Sequence, residues 1–144
     1  FFHGGGYCIG SLSTHRSFVG RLAEASGVTC VAFDYRLAPE HRFPVAVDDA
    51  VAAYRALLRD GYTANRIVIA GDSAGGGLAL AAIAALRDSG DALPAAGVCL
   101  SPWTDLAMTG ASIDAKAPED PLLAPWELHA FVRQYLNGAD ARNS

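Results

Sequence analysis

Arg66-Ile67-Val68-Ile69-Ala70-Gly71-Asp72-Ser73-Ala74-Gly75-Gly76 runs from an apolar stretch into a glycine-rich turn, and an alanine-rich stretch of helical character follows. Ser73 therefore falls at a strand-to-helix junction. A serine flanked by small residues at such a junction has the layout of a nucleophile elbow, where G-x-S-x-G lets the chain turn so sharply that only glycine fits beside the strand. Ser73 is the candidate catalytic nucleophile. Its successor, Ala74, would offer a backbone N–H at the positive end of the following helix, half of an oxyanion hole. Asp72 points to the other side of the elbow and suits holding the turn.

The chain opens on a second glycine motif, Phe1-Phe2-His3-Gly4-Gly5-Gly6. An apolar end followed by His and three glycines gives a loop whose bare backbone N–H groups can approach a substrate oxygen closely. Neither glycine motif carries the G-K-[ST] of a P-loop or the G-x-G-x-x-G spacing of a dinucleotide site, so phosphate binding is the weaker reading.

Between these motifs lies Phe33-Asp34-Tyr35-Arg36-Leu37-Ala38-Pro39-Glu40-His41-Arg42-Phe43-Pro44. It closely resembles the D-Y-R-L-A-P-E-x-x-[FY]-P segment of the hormone-sensitive-lipase-like esterases. With H-G-G-G and G-D-S-A-G-G it gives three motifs in that family's order. The chain is thus similar, over nearly all its length, to that branch of the α/β-hydrolases, also called the bacterial family IV or GDXG esterases.

The resemblance implies an α/β-hydrolase fold, a mostly parallel sheet with helices on both faces. Residues 1–106 would form part of the hydrolase core and residues 107–144 a cap segment of the same domain. The family pattern places cap helices and first strands before H-G-G-G, and the catalytic acid and histidine well after the nucleophile. The chain is accordingly expected to be an internal fragment, with triad Asp and His beyond Ser144, and to be inactive alone.

The activity implied is two-step acyl transfer on carboxylic esters with short to medium acyl chains. Ser73 Oγ would attack the carbonyl, and the N–H groups of Gly5, Gly6 and Ala74 would hold the oxyanion. Gly4 would serve the bend and His3 the shape of the loop, the assignment among the three glycines being open by one residue. No metal or organic cofactor is called for. The plant gibberellin receptors resemble the same family while lacking the triad histidine, so a ligand-binding protein with a dead triad is the alternative.

Other titratable residues offer weaker triad candidates. His129 falls in the middle of the last helix beside a core face. Asp105 follows a strand run, at about the place where some hydrolases outside this family keep their acid. His15 and His41 read as ordinary surface or loop residues. Asp34, Arg36, Glu40 and Arg42 are expected to form one charge network around the Ala38-Pro39 turn, buttressing the floor of the site.

Composition fits a globular enzyme. Half of the 144 residues are hydrophobic and the net charge is −4, so neither disorder nor a basic footprint for nucleic acid is present. No apolar run suits a membrane span, so stable membrane insertion is not expected, and the cytoplasm is the expected location. A small-molecule ester is the expected partner, with a homodimer left open. Cys8, Cys30 and Cys99 are odd in number and widely spaced, which argues against zinc and a disulfide framework and for packing roles.

Strands are expected at Val28 to Phe33, Arg66 to Ala70 and Ala96 to Leu100. Each is apolar without alternation, as strands buried on both faces are. Helices are expected from His15 to Ser26, from Pro44 to Arg59 with Val47, Val51, Tyr54 and Leu58 on one face, from after Ser73 to Asp88, and from Pro125 to Leu136 with Gly138 as its stop. Residues 107–120 read as an exposed, turn-rich passage. Trp126, Phe131 and Tyr135 of the last helix are candidates for shaping the acyl or alcohol pocket.

Overall fold

The computed structural model describes residues 1–142, built as α1 (Leu12–Ser26), α2 (Val45–Arg59), β1 (Val68–Asp72), α3 (Ala74–Asp88), β2 (Ala96–Leu100), α4 (Ser112–Lys116) and α5 (Pro125–Leu136). β1 and β2 pair in parallel, from Val68 opposite Ala96 to Asp72 opposite Leu100. On the other edge of β1, Phe2 forms a parallel bridge with Gly71, its N–H donating to the Ala70 carbonyl at 2.8 Å. The residues ahead of the first glycine loop therefore run alongside the strand that feeds the elbow. Both loops emerge at the carboxyl ends of parallel strands, the usual place for a site in an α/β sheet.

Alternation assigns the two sheet faces. A side chain at Gly97 would meet Ile83 of α3, and the Cys99 thiol lies 3.6 Å from the Gly76 carbonyl, so Ile69, Gly71, Gly97 and Cys99 face α3. α2 packs against α3 in turn. Tyr54 of α2 and Leu78 and Leu86 of α3 are the largest fully buried side chains, and the Tyr54 hydroxyl donates to the Ala92 carbonyl at 2.7 Å. α3 can lie this close because three glycines, Gly75 to Gly77, follow Ala74 in its first turn: a methyl on Gly76 would fall 2.9 Å from Pro102.

The opposite face corrects one expectation. Val68, Val98 and Leu100 are 51%, 46% and 40% exposed, so these strands are not buried on both sides by the described residues. The run from Val28 to Phe33 is likewise no ladder strand. Its neighbour is the short Phe1-Phe2 segment, and the Phe1 backbone nitrogen donates to the Val31 carbonyl at 2.7 Å. Val28 and Val31 are exposed, while Phe33 packs edge-on against Phe2.

Smaller corrections have local causes. β1 starts at Val68 rather than Arg66 because Ala64–Arg66 close a 3-10 turn. α1 starts at Leu12 rather than His15 because Ser11 and Thr14 cap it reciprocally, each side chain accepting from the other's backbone N–H. Within the passage expected to be turns, α4 and a 3-10 turn at Ala117–Glu119 form without burying a residue. α5 ends on Asn137 in the left-handed conformation (φ 47°), one residue before Gly138. Tyr135 and Leu136 of α5 join the main core, Tyr135 stacking on Tyr7 with ring centroids 4.0 Å apart.

Leu78 has no exposed surface. Leu78→Ala in the full-length protein is expected to cost about 2–5 kcal/mol of stability, measured by urea unfolding, through lost burial and the cavity left. A cost under about 1 kcal/mol would show that this core is not what holds the sheet to its helices.

Candidate active site

Ser73 joins β1 to α3 with φ 51° and ψ −121°, a conformation that costs a non-glycine residue about 1–3 kcal/mol. Three backbone hydrogen bonds hold it. Its N–H donates to the Leu100 carbonyl at 2.9 Å, and its carbonyl accepts from Gly77 and Trp103 at 3.1 and 2.8 Å. The flanking glycines are explained by contact rather than by flexibility. A methyl on Gly71 would strike the Gly75 carbonyl, and one on Gly75 would lie 2.6 Å from the His3 carbonyl and closer still to that of Phe2. The elbow and the first glycine loop touch backbone to backbone.

The loop is gripped at Gly4. The Gly4 N–H donates to Asp72 Oδ1 at 2.9 Å, and the Gly4 carbonyl lies 2.7 Å from His3 Nδ1, which therefore donates. Asp72 thus ties the loop to the elbow, and the Gly4 N–H is occupied. Gly5 (φ 125°) and Gly6 (φ 60°) carry the left-handed turn, closed by Cys8 and Ile9 N–H groups donating to the Gly5 carbonyl at 3.0 and 2.9 Å. Among the described residues, the N–H groups of Gly5, Gly6 and Ala74 donate to no partner, and Ser73 Oγ is likewise unbonded. The Phe131 ring covers Gly6, where a methyl would fall 2.6 Å from it.

His3 is buried and stacks on Tyr35 with centroids 4.4 Å apart, and the Tyr35 hydroxyl donates to the His3 carbonyl at 2.7 Å. Burial lowers the His3 pKa against the opposing effect of its bond to Gly4, so the ring is neutral with Nδ1 protonated and Nε2 a buried, unpartnered acceptor. The resemblance-derived role of His3, holding the loop, is compatible with this arrangement.

The remaining candidates separate. Asp105 accepts from Thr109 N–H, the Thr109 hydroxyl and Gly110 N–H, closing its own turn. Desolvation raises its pKa, and those bonds more than reverse the effect. His129 is exposed on α5. The Cys8 thiol is pushed up to about 11 by burial and by Glu40, which leaves it no nucleophile at neutral pH. Of the three aromatics, Trp126 is 69% exposed, Tyr135 belongs to the core, and Phe131 alone meets a glycine loop.

Two expectations need correction. Asp34, Arg36, Glu40 and Arg42 do not form one network, because helices claim two of them. Asp34 Oδ1 accepts the Leu12 N–H at the start of α1 at 2.5 Å, and Arg36 makes a forked pair with Asp49 of α2, its Nη2 2.6 Å from Oδ1. Glu40 and Arg42 are exposed. His15 is not an ordinary surface residue either. Its Nε2 lies 3.5 Å from Asp72 Oδ1, and its ring centroid lies 5.5 Å from that of His3. The signal that could have found it was Ser11, whose cap on Thr14 sets the first turn of α1 at the site.

No helix of the described residues is long and apolar enough to cross a membrane, and they contain no cluster of metal-ligating side chains. The family described as alpha/beta hydrolase fold matches residues 1–144. An acetyl-hydrolase of Streptomyces hygroscopicus is 49% identical over 99% of this chain and 48% of its own length. An ethyl acetate hydrolase of Pseudomonas putida is 39% identical over 94% of the chain and 44% of its own length. The crystal structure of an esterase from the bacterial hormone-sensitive lipase family superposes with a TM-score of 0.95 at 50% identity, covering 99% of this chain and 48% of that one. The chain spans about half the length of the curated relatives it matches.

The buried neutral His3 carries a pH signature. Unfolded, a histidine binds its proton near pH 6.5, whereas the folded ring resists it. Below about pH 6.5 the unfolded state therefore holds more protons, and stability falls as pH drops toward the lowered folded value. Melting temperatures of the full-length protein and of His3→Gln, followed from about pH 7.5 to 5, are expected to converge toward acid because the variant lacks this loss. A gap that stays constant over that range would contradict a neutral His3.

Proposed function

The chain belongs to the α/β-hydrolase fold family, in its hormone-sensitive-lipase-like branch, and on that premise we propose that the protein hydrolyses carboxylic esters with Ser73 as nucleophile. The observation that carries this reading is the strained Ser73 at a loop junction where, among the described residues, its Oγ and three backbone N–H groups have no partner. Strained residues and unsatisfied donors both cost free energy, and a site that binds a developing oxyanion uses them together.

In the first step the Ser73 oxygen bonds to the ester carbonyl carbon while its proton passes to a general base. The carbonyl oxygen becomes an oxyanion facing the N–H groups of Gly5, Gly6 and Ala74. Removing one such donor typically costs a hundred- to thousandfold in rate, so these groups supply much of the catalysis. Collapse releases the alcohol, which takes the proton back, and leaves an acyl ester on Ser73. Water, deprotonated by the same base, then attacks the acyl carbon and frees the acid and the serine.

No histidine of the described residues bonds to Ser73. We propose that the base and its orienting acid lie in the half of the relatives' length that this chain does not span. Residues 107–142 are read as part of a cap, with Phe131 as its contact to the oxyanion loop. Short acyl groups suit this reading: Phe131 closes over Gly6, and the two relatives described above are named acetyl-hydrolase and ethyl acetate hydrolase.

Ser73→Ala in the full-length protein is expected to lower turnover of p-nitrophenyl acetate and butyrate by at least about a thousandfold with its circular dichroism unchanged. Turnover that persists would remove Ser73 from the chemistry, and a wild type without esterase activity that binds a small ligand would favour the receptor-like alternative. Phe131→Ala is expected to raise kcat/KM for octanoate relative to acetate esters by opening the space over Gly6. An unchanged ratio would confine Phe131 to packing.

A further inference from the structure

We propose that His15 is a positioning residue for ester hydrolysis, acting through Asp72 on the oxyanion loop. The proposal rests on the reading of Ser73 and the glycine loop given above. It starts from the peptide groups of Gly4, which are held on both sides: the N–H by Asp72 Oδ1 at 2.9 Å and the carbonyl by His3 Nδ1 at 2.7 Å. His15 adjoins both grips, with Nε2 3.5 Å from that same carboxylate oxygen and its ring 5.5 Å from the His3 ring.

Asp72 needs such a neighbour. It lies on the open sheet face, its side chain 29% exposed, and among the described residues its carboxylate accepts one hydrogen bond, that from the Gly4 N–H. A carboxylate with a single backbone partner can swing about its χ angles, and the imidazole across from it restricts that swing. At 3.5 Å the contact is too long for a good hydrogen bond, and the ring limits the swing of the carboxylate by occupying the space beside it. The two donors proposed for the oxyanion, Gly5 and Gly6, follow Gly4 directly in the chain. A small displacement of the Gly4 peptide therefore re-aims both, and oxyanion stabilisation depends on that aim.

His15 is itself placed with care. Thr14 Oγ1 lies 2.9 Å from Nδ1, which turns Nε2 to Asp72. Thr14 is half of the cap with Ser11, and the Leu12 N–H is bonded to Asp34 of the third motif. The first turn of α1 is thus pinned at three points, and His15 is the residue it presents to the elbow.

The test uses the full-length protein with p-nitrophenyl butyrate as probe. His15→Leu removes both ring nitrogens, and His15→Gln keeps an amide donor on a chain of similar reach. His15→Leu is expected to lower kcat about fivefold with KM within about twofold, since the lost alignment matters only in the transition state. His15→Gln is expected to recover most of that loss. In an Asp72→Asn background, His15→Leu should add no further loss, because the two residues act in one chain. Independent, multiplying losses, an unchanged kcat in His15→Leu or in Asp72→Asn alone, or a change confined to KM would overturn the proposal. If His15→Leu does not fold, His15→Ala in the two backgrounds decides by the same criterion. Ser73→Ala run alongside separates the two ideas: full activity there would sink the esterase reading itself.

Discussion

Where the elbow meets the first glycine loop, backbone packs on backbone and there is no room for a Cβ. Gly71 faces the Gly75 carbonyl, and Gly75 faces the carbonyls of Phe2 and His3. That approach is possible because the Phe1-Phe2 segment runs parallel beside β1 and stops level with the elbow. Everything else at the site follows from it. Asp72 can reach Gly4 only because the two turns touch, and the loop can present its N–H groups beside Ser73 only if it starts from the neighbouring strand position. Glycine is required at these positions by volume, and the added flexibility is a cost the fold bears.

Electrostatics then divides the labour. One peptide, Gly4, is consumed in anchoring the loop, and the N–H groups of the next two have no partner among the described residues. The anchors are unlike: a carboxylate on the more exposed side and a buried neutral imidazole on the other. Burial keeps His3 uncharged. Helices hold the anchors in turn. α1 reaches Asp72 through His15, and α2 fixes the third motif through the Arg36 pair with Asp49.

Much of this was legible in the sequence because the decisive features are local. The elbow, α3, β2 and α5 follow from apolar runs and turn residues that need no distant partner, and their bounds agree with expectation to within a residue or two. Expectation failed where a partner decides. Val28 to Phe33 has strand composition, yet a strand exists only when a neighbour completes its ladder. The Arg36 pair with Asp49 joins residues 13 apart, and the His15 contact with Asp72 spans the loop and the sheet, separations that periodicity does not report. Burial was overestimated for the same reason, since apolar composition in β2 states a preference that the described residues satisfy on one face only.

The central claim is that the hydroxyl of Ser73 is the nucleophile. Labelling the full-length protein with a fluorophosphonate and mapping the modified peptide by mass spectrometry tests it most directly. The account predicts one adduct, on Ser73, formed in step with loss of esterase activity. An adduct on another residue of the active protein, or complete inactivation with Ser73 unmodified, would contradict it.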